Sequence, residues 1–277
     1  MFTLNPHTAH SGGRGTAVLR SKLRSRCRSL LLALGNLGIP QTAFYALQRL
    51  RNRRAPTGHR FVVLSKRARH PLHCRSRTSD LDVFGQIFVQ REYRCLDGIE
   101  SADLVIDCGA NVGYSAAYFL SRYPASSLIC VEPDPGNYAA LESNLKPYQG
   151  RVKALLAAVW SEKSDLVLSD AAFGDGREWA RTVRCARSDE AATIPAIDIG
   201  TLIRESGRER VSILKIDVEG AEEIIFSSNH GEWLDKIDNL VIELHGERCE
   251  RVFNQAIAGR GFQVSRCDEL TVCTRAS

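Results

Sequence analysis

Residues 104–113 read LVIDCGANVG, and the reading of this stretch decides the fold. A short apolar run ends in Asp107 and passes into a loop carrying Gly109 and Gly113. YSAAYFLSRY follows with helical character. A buried strand that turns through glycines into a helix is the opening unit of an α/β sheet. The glycines let the backbone turn tightly and come close to a ligand, and the loop amides and helix N-terminus supply hydrogen-bond donors.

The chain downstream repeats this alternation. LICVEP is a second strand ending in Glu132, before the helical NYAALESNLKPY. VKALLAAVW is a third strand, and DLVLSD is a hairpin strand of an insertion. IDIGTLIRE opens a helix, VSILKIDVEG is a fourth core strand, and AEEIIFSS is helical. NLVIELHG is a fifth strand, followed by the helical ERVFNQAIAGRGF and the paired strands FQVSRC and LTVCTR. This order predicts an α/β fold, a mostly parallel sheet with helices on both faces and an antiparallel terminal strand. Ligands of such sheets bind beyond the carboxyl ends of the strands, which places Asp107, Glu132, Asp217 and Glu243 on one rim.

Glu132 ends its strand 25 residues after Asp107, where an acid accepts hydrogen bonds from a ribose diol. A nicotinamide fingerprint would require a glycine where Asn111 stands, so a pyrophosphate fits poorly and the order Gly109, Asn111, Gly113 speaks against a nicotinamide-dependent oxidoreductase. S-adenosylmethionine, with a ribose diol, an amino-acid end and no phosphate, suits one acid and one loop. A non-catalytic nucleoside-binding module is a further alternative, opposed by the acids and the histidine on the rim.

VIDCGANVGYSA is similar to the cofactor motif of the seven-stranded methyltransferase superfamily, and ILKIDVEGAE, the following WL and VIELHG narrow the resemblance to the FkbM-type methyltransferases. SDLDVFGQIFVQREY resembles the lead-in segment of that family, and the likeness covers roughly residues 75–265. It implies a Rossmann-like class I methyltransferase fold with seven strands, S-adenosylmethionine as methyl donor and O-methylation of a sugar or glycan hydroxyl, or of a small secondary metabolite. Asp107, Gly109, Asn111, Gly113 and Glu132 are then the cofactor-binding candidates.

On the acceptor side, Asp217 at the end of the fourth strand is expected to orient or accept the hydroxyl proton, with His245 as the rival base. Asp217 and Glu243 could alternatively share Mg²⁺. Lys215, two residues before Asp217 on the same strand face, is expected to pair with a rim carboxylate. Glu219 is either a helix-start carboxylate or a direct participant, Glu222 and Glu223 are expected on a solvated helix face, and Trp160 either flanks the adenine or belongs to the core.

Charge divides the chain. The first 79 residues hold 16 of the 37 Lys and Arg and none of the 32 Asp and Glu, so the remainder is acidic. This suggests a basic N-terminal extension (1–55) ahead of a methyltransferase domain (56–277) whose lead-in segment spans 56–100. From Ala17 to Leu34, apolar residues at steps of three and four alternate with Arg20, Lys22, Arg24, Arg26 and Arg28. Residues 17–34 thus read as a basic amphipathic helix, suited to an anionic membrane surface or to docking on the protein itself or a partner subunit. Nucleic acid is not an expected partner. The nine cysteines form no CxxC pair, which favours a reducing compartment: a cytoplasmic protein, peripheral at the membrane. The acid-free start also resembles a mitochondrial presequence, whereas a secretory signal does not fit.

Overall fold

The structure, a computed structural model, describes residues 27–172, 181–186, 190–191, 194–218 and 220–275. Residues 1–26, including the start of the amphipathic stretch, and Glu219 lie outside the described residues. Residues 27–37 form helix α1, and Ile39–Asn52 form α2. The two are separated at Gly38, whose φ of 87° is incompatible with a continuous helix. An antiparallel hairpin follows, β1 (Arg60–Val63) with β2 (Leu72–Arg75).

Helix α3 (Asp80–Phe84) continues into a turn of π-helix, Gly85–Gln90, and then a 3-10 segment, Glu92–Leu96. The sequence predicts one helix here, capped by Thr78 or Ser79. Thr78 Oγ1 accepts from the Asp80 amide at 3.3 Å, whereas Ser79 makes no capping hydrogen bond. Arg91, at φ 59°, ends the π-helical turn.

The alternating region runs β3 (Leu104–Cys108), α4 (Tyr114–Arg122), β4 (Ser127–Glu132), α5 (Pro135–Leu145) and β5 (Val152–Leu156). An insertion contributes β6 (Ala158–Val159), β7 (Asp165–Ala172), β8 (Arg181–Cys185) and β9 (Ile194–Ile197). The chain then returns through α6 (Ile199–Ser206), β10 (Val211–Ile216), α7 (Glu222–Ser227), β11 (Ile237–Glu243), α8 (Glu247–Ile257), β12 (Phe262–Cys267) and β13 (Leu270–Arg275).

The main sheet has the order β12-β13-β11-β10-β3-β4-β5. Its neighbours are parallel except where β13 meets β11 and β12. This is the Rossmann-like class I methyltransferase sheet. One correction concerns its third strand, which the sequence suggests runs unbroken to Trp160. β4 ends at Glu132, whose carbonyl accepts from Ala157 at 3.3 Å. Beyond that point β4 offers no further partner, so the chain leaves the sheet and β6 pairs with β9 in a separate sheet ordered β6-β9-β7-β8.

The pleat sorts the strand residues into two layers. Leu104, Ile106 and Cys108 join Phe226, Trp233 and Phe253 on one face. Val105, Ile213 and Val241 join Phe84, Tyr114 and Phe119 on the other. Although residues 1–55 are expected as a separate extension, Ala33, Leu37 and Tyr45 pack in this second cluster. Trp160 is buried with Leu166 and Ile194 of the insertion, which places it in a core cluster. No described helix is long and apolar enough to cross a membrane.

Tyr45 ties α2 to the domain. Its ring lies 5.2 Å from that of Phe84, and its hydroxyl donates to Leu81 O at 3.2 Å. Tyr45→Ala should destabilise the protein by about 3 kcal/mol, the cost of emptying a buried aromatic site. Urea unfolding of the two proteins measures this difference.

Candidate active site

The pleat gives Asp107 and Lys215 an unusual position. They are direct neighbours in the β3–β10 register, and both fall on the sheet face that carries Val105 and Ile213. Two charged side chains therefore stand on an apolar layer and satisfy one another. Lys215 Nζ lies 3.2 Å from Asp107 Oδ1, and Ser115 Oγ of α4 donates to Asp107 Oδ2 at 2.6 Å. Burial by itself would lower the Lys215 pKa, but Asp107 and Asp217 outweigh it and hold the ammonium above its ordinary value. Lys215 Nζ also donates to Gly109 O at 2.6 Å, fixing the loop that follows β3.

That loop is held from three sides. The amides of Gly109 and Ala110 both donate to Val131 O at 3.0 Å. Gly109 has φ 77°, and a Cβ added there would lie 1.8 Å from Asp217 O, so only glycine lets β3 and β10 end this close together. The Asn111 amide donates to Glu132 Oε2 at 2.8 Å, and the Asp134 amide donates to Oε1 at 2.9 Å. Burial pushes the Glu132 carboxyl up to about 7, and these two amide donors hold it from rising further. Asn111 adopts φ 50°, and its Oδ1 is buried without a protein partner. This orphaned acceptor faces the needs of a ligand with hydrogen-bond donors.

Glu132, Asn111 and Gly109 line a cleft of roughly 260 Å³ that reaches Lys215, Asp217 and Glu243. The rim acids of the sequence are thus brought to one cavity, with Asp107 buried beneath it. At its far end, Asp217 Oδ2 is 3.6 Å from Lys215 Nζ, and Glu243 Oε1 is 3.6 Å from His245 Nε2. Burial raises the Asp217 pKa against the attraction of Lys215, and Glu243 raises it too; hydrogen bonding to His245 lowers that of Glu243.

Two residues were not foreseen in these positions. Glu222, expected on a solvated face, is fully buried, and its Oε1 lies 2.7 Å from His245 Nδ1. Cys249 Sγ donates to the other oxygen at 3.5 Å. The helical period carries the missing signal: Glu222 lies three and four residues before the buried Ile225 and Phe226, so it shares their inward face. Glu223 pairs with Arg248 at 2.9 Å. The second residue is Glu92, which the 3-10 segment places in the cleft wall. Burial, with Asp217 nearby, pushes its pKa up to about 8. Nothing in QREY marks that glutamate, because only the folded lead-in segment brings it to the strand ends.

A carboxylate accepts but does not donate, so Glu222 accepts from His245 Nδ1, and Nε2 is turned to Glu243 of the cleft wall, 3.6 Å away. This imidazole is prepared to take a proton. Asp217, Glu243 and His245 also each offer one ligand atom within 4.8 Å of the others. The carboxylates suit Mg²⁺, while the imidazole moves the preference of the set toward Mn²⁺ or Zn²⁺.

Removing Lys215 tests the buried pair. Lys215→Met should cost about 3–5 kcal/mol, because Asp107 is left charged and unpaired in the interior. Lys215→Met combined with Asp107→Asn should recover part of that loss; thermal and urea unfolding check both.

Comparison with known proteins places the chain in a family. The chain is 27% identical over 179 residues to Methyltransferase 1 of Beauveria bassiana, covering 57% of this chain and 71% of the relative. It is 25% identical over 215 residues to Methyltransferase sdnD of Sordaria araneosa, covering 66% and 82%. It is 28% identical over 163 residues to 2-O-methyltransferase NoeI of Sinorhizobium fredii, covering 53% and 63%. The family model for the methyltransferase FkbM domain matches residues 107–264, from Asp107 in β3 into β12, and the chain belongs to the FkbM methyltransferase family.

Proposed function

We propose that the protein transfers a methyl group from S-adenosylmethionine to a hydroxyl of a sugar or glycan. The observation that carries this reading is the Glu222–His245 pair, which meets Asp217 and Glu243 of the cleft wall: one ligand atom of each of Asp217, Glu243 and His245 lies within 4.8 Å of the others. When bound, S-adenosylmethionine supplies an electrophilic methyl carbon on a sulfonium, and its sulfur keeps the electron pair of the broken bond. Glu132 would accept from the ribose hydroxyls with the lone pairs left by its two amide contacts, and Asn111 Oδ1 would accept from the amino-acid end. Asp217 and Glu243 would hold the acceptor hydroxyl in line, which supplies much of the rate. His245 Nε2 would take the hydroxyl proton as the oxygen–carbon bond forms, and Glu222 would stabilise the resulting imidazolium. The sequence favoured Asp217 as the base; the buried partner of His245 supports His245 instead.

The relative that carries 2-O-methyltransferase in its name supports oxygen as the methylated atom and a hydroxyl as the acceptor group. A small secondary metabolite is the alternative acceptor. A second reading routes the hydroxyl to a divalent cation on Asp217, Glu243 and His245. It would require that EDTA abolish turnover and that Mn²⁺ or Mg²⁺ restore it.

Glu222→Gln should lower kcat by about tenfold to a hundredfold, within the range of general-base effects, and leave S-adenosylhomocysteine affinity unchanged. It should also move the acid limb of the pH–rate profile downward, since the imidazolium loses its counter-charge. His245→Ala should lower kcat further than Asp217→Asn. The opposite order returns the base to Asp217.

Glu132 gives a pH test of the cofactor reading. A ribose diol favours the ionised carboxylate, so S-adenosylhomocysteine affinity should weaken as the pH falls below about 7. The linkage has the opposite sign in the free protein: its raised carboxyl contributes stability at low pH, and this is lost as the pH rises through about 7. Calorimetry on wild type and Glu132→Gln decides, since the variant should bind more weakly and with a flatter profile.

A further inference from the structure

Nine large apolar side chains are exposed among the described residues, and six of them lie between residues 30 and 50. They are Leu30, Leu31 and Leu34 on α1 and Ile39, Leu47 and Leu50 on α2. Leu31 is 69% exposed and Ile39 is 75% exposed. On α2 the exposed Ile39, Ala43, Leu47 and Leu50 follow one another at steps of four, four and three, which is a single helix face.

These residues are not spare core. Both helices already dock on the domain through their other faces, with Ala33, Leu37 and Tyr45 in the main cluster. Polar contacts fix the same orientation: Asn36 Nδ2 donates to Val89 O at 2.8 Å, Gln48 Nε2 to Val62 O at 3.3 Å and Lys66 Nζ to Gly35 O at 2.9 Å. The stripe that the sequence offers for docking is therefore the one turned to solvent.

The charge on the two helices themselves is basic, and Asp82 of α3 approaches α2 by pairing with Arg49 at 3.5 Å. Arg28, Arg51, Arg53, Arg54 and Arg60 are exposed beside it, and no Asp or Glu occurs before Asp80. Leucines held on a rigid helical face and surrounded by arginines match the interface of an anionic bilayer, where apolar side chains enter the headgroup boundary and cations meet lipid phosphate or carboxylate. A nucleic acid would use the arginines and leave the leucines in water. We propose that α1 and α2 form a membrane-seating face that holds the protein on an anionic lipid surface. The face sits against the segment that walls the cleft, since Tyr45 packs on Phe84, and Val83, Gln86 and Ile87 line the cavity.

Flotation of the full-length protein with vesicles tests this. The protein should float with phosphatidylcholine vesicles containing roughly one-third phosphatidylserine and remain behind with pure phosphatidylcholine. Leu31→Glu combined with Leu47→Glu should reduce the bound fraction by about tenfold or more, because it removes apolar insertion and adds repulsion. Both positions are exposed, so an unchanged melting temperature and S-adenosylhomocysteine affinity will show that the variant is folded. Failure of the wild type to float, or equal flotation of wild type and variant, overturns the proposal. So does a dimer in sedimentation that the double substitution dissolves, or binding to a random RNA oligomer that outcompetes the vesicles.

Discussion

The ion pair between Asp107 and Lys215 is the constraint from which the site is built. A carboxylate and an ammonium on the apolar face of a central sheet are costly unless each satisfies the other and their remaining hydrogen-bond capacity is used. Here the Ser115 hydroxyl donates to one Asp107 oxygen and the Gly109 carbonyl accepts from Lys215, while the other Asp107 oxygen keeps its 3.2 Å ion contact with the ammonium. The same lysine reaches the end of β3, the loop after it and Asp217, so the charge that neutralises Asp107 also sets the spacing of two strand ends. The glycine at 109 is a consequence of this spacing, since the Asp217 carbonyl occupies the place of its side chain.

The cleft is more acidic than its rim suggests. Glu92 and Glu132 both have pKa values raised by burial, to about 8 and about 7, while Glu222 spends its charge on His245. This distribution separates tasks. One carboxylate organises the loop, one orients an imidazole, and Asp217 and Glu243 remain for whatever occupies the far end. In the proposed reaction, the attraction of this cleft for a cationic donor strengthens as the pH rises through about 7 and about 8, where the Glu132 and Glu92 carboxyls ionise.

The fold was legible because its signals are local. Apolar runs ending in Asp107, Glu132, Asp217 and Glu243 mark both the strands and their common rim, and the glycines at 109 and 113 mark the first turn. What stayed hidden depends on contacts between distant segments. The break after Leu156 follows from the length of β4, which VKALLAAVW itself does not encode. Glu92 reaches the cleft only through the path of the lead-in helix, and a π-helical turn leaves no pattern distinct from an α-helix. Glu222 was a different kind of miss: its spacing to Ile225 and Phe226 was visible, but the adjacent Glu223 and the high local charge suggested a wet surface.

The side sheet β6-β9-β7-β8 leaves the main sheet at Ala157 and returns before α6, yet Ala158, Val159 and Val183 stand in the wall of the cleft. The chain thus carries part of its binding wall on an appendage bracketed by two fixed points of the central layer. Exchange of that appendage would reshape the cavity while leaving the Asp107–Lys215 pair and every strand of the main sheet in place. The shape of the cavity can therefore diverge by trading a peripheral module, with the groups at the strand ends inherited unchanged.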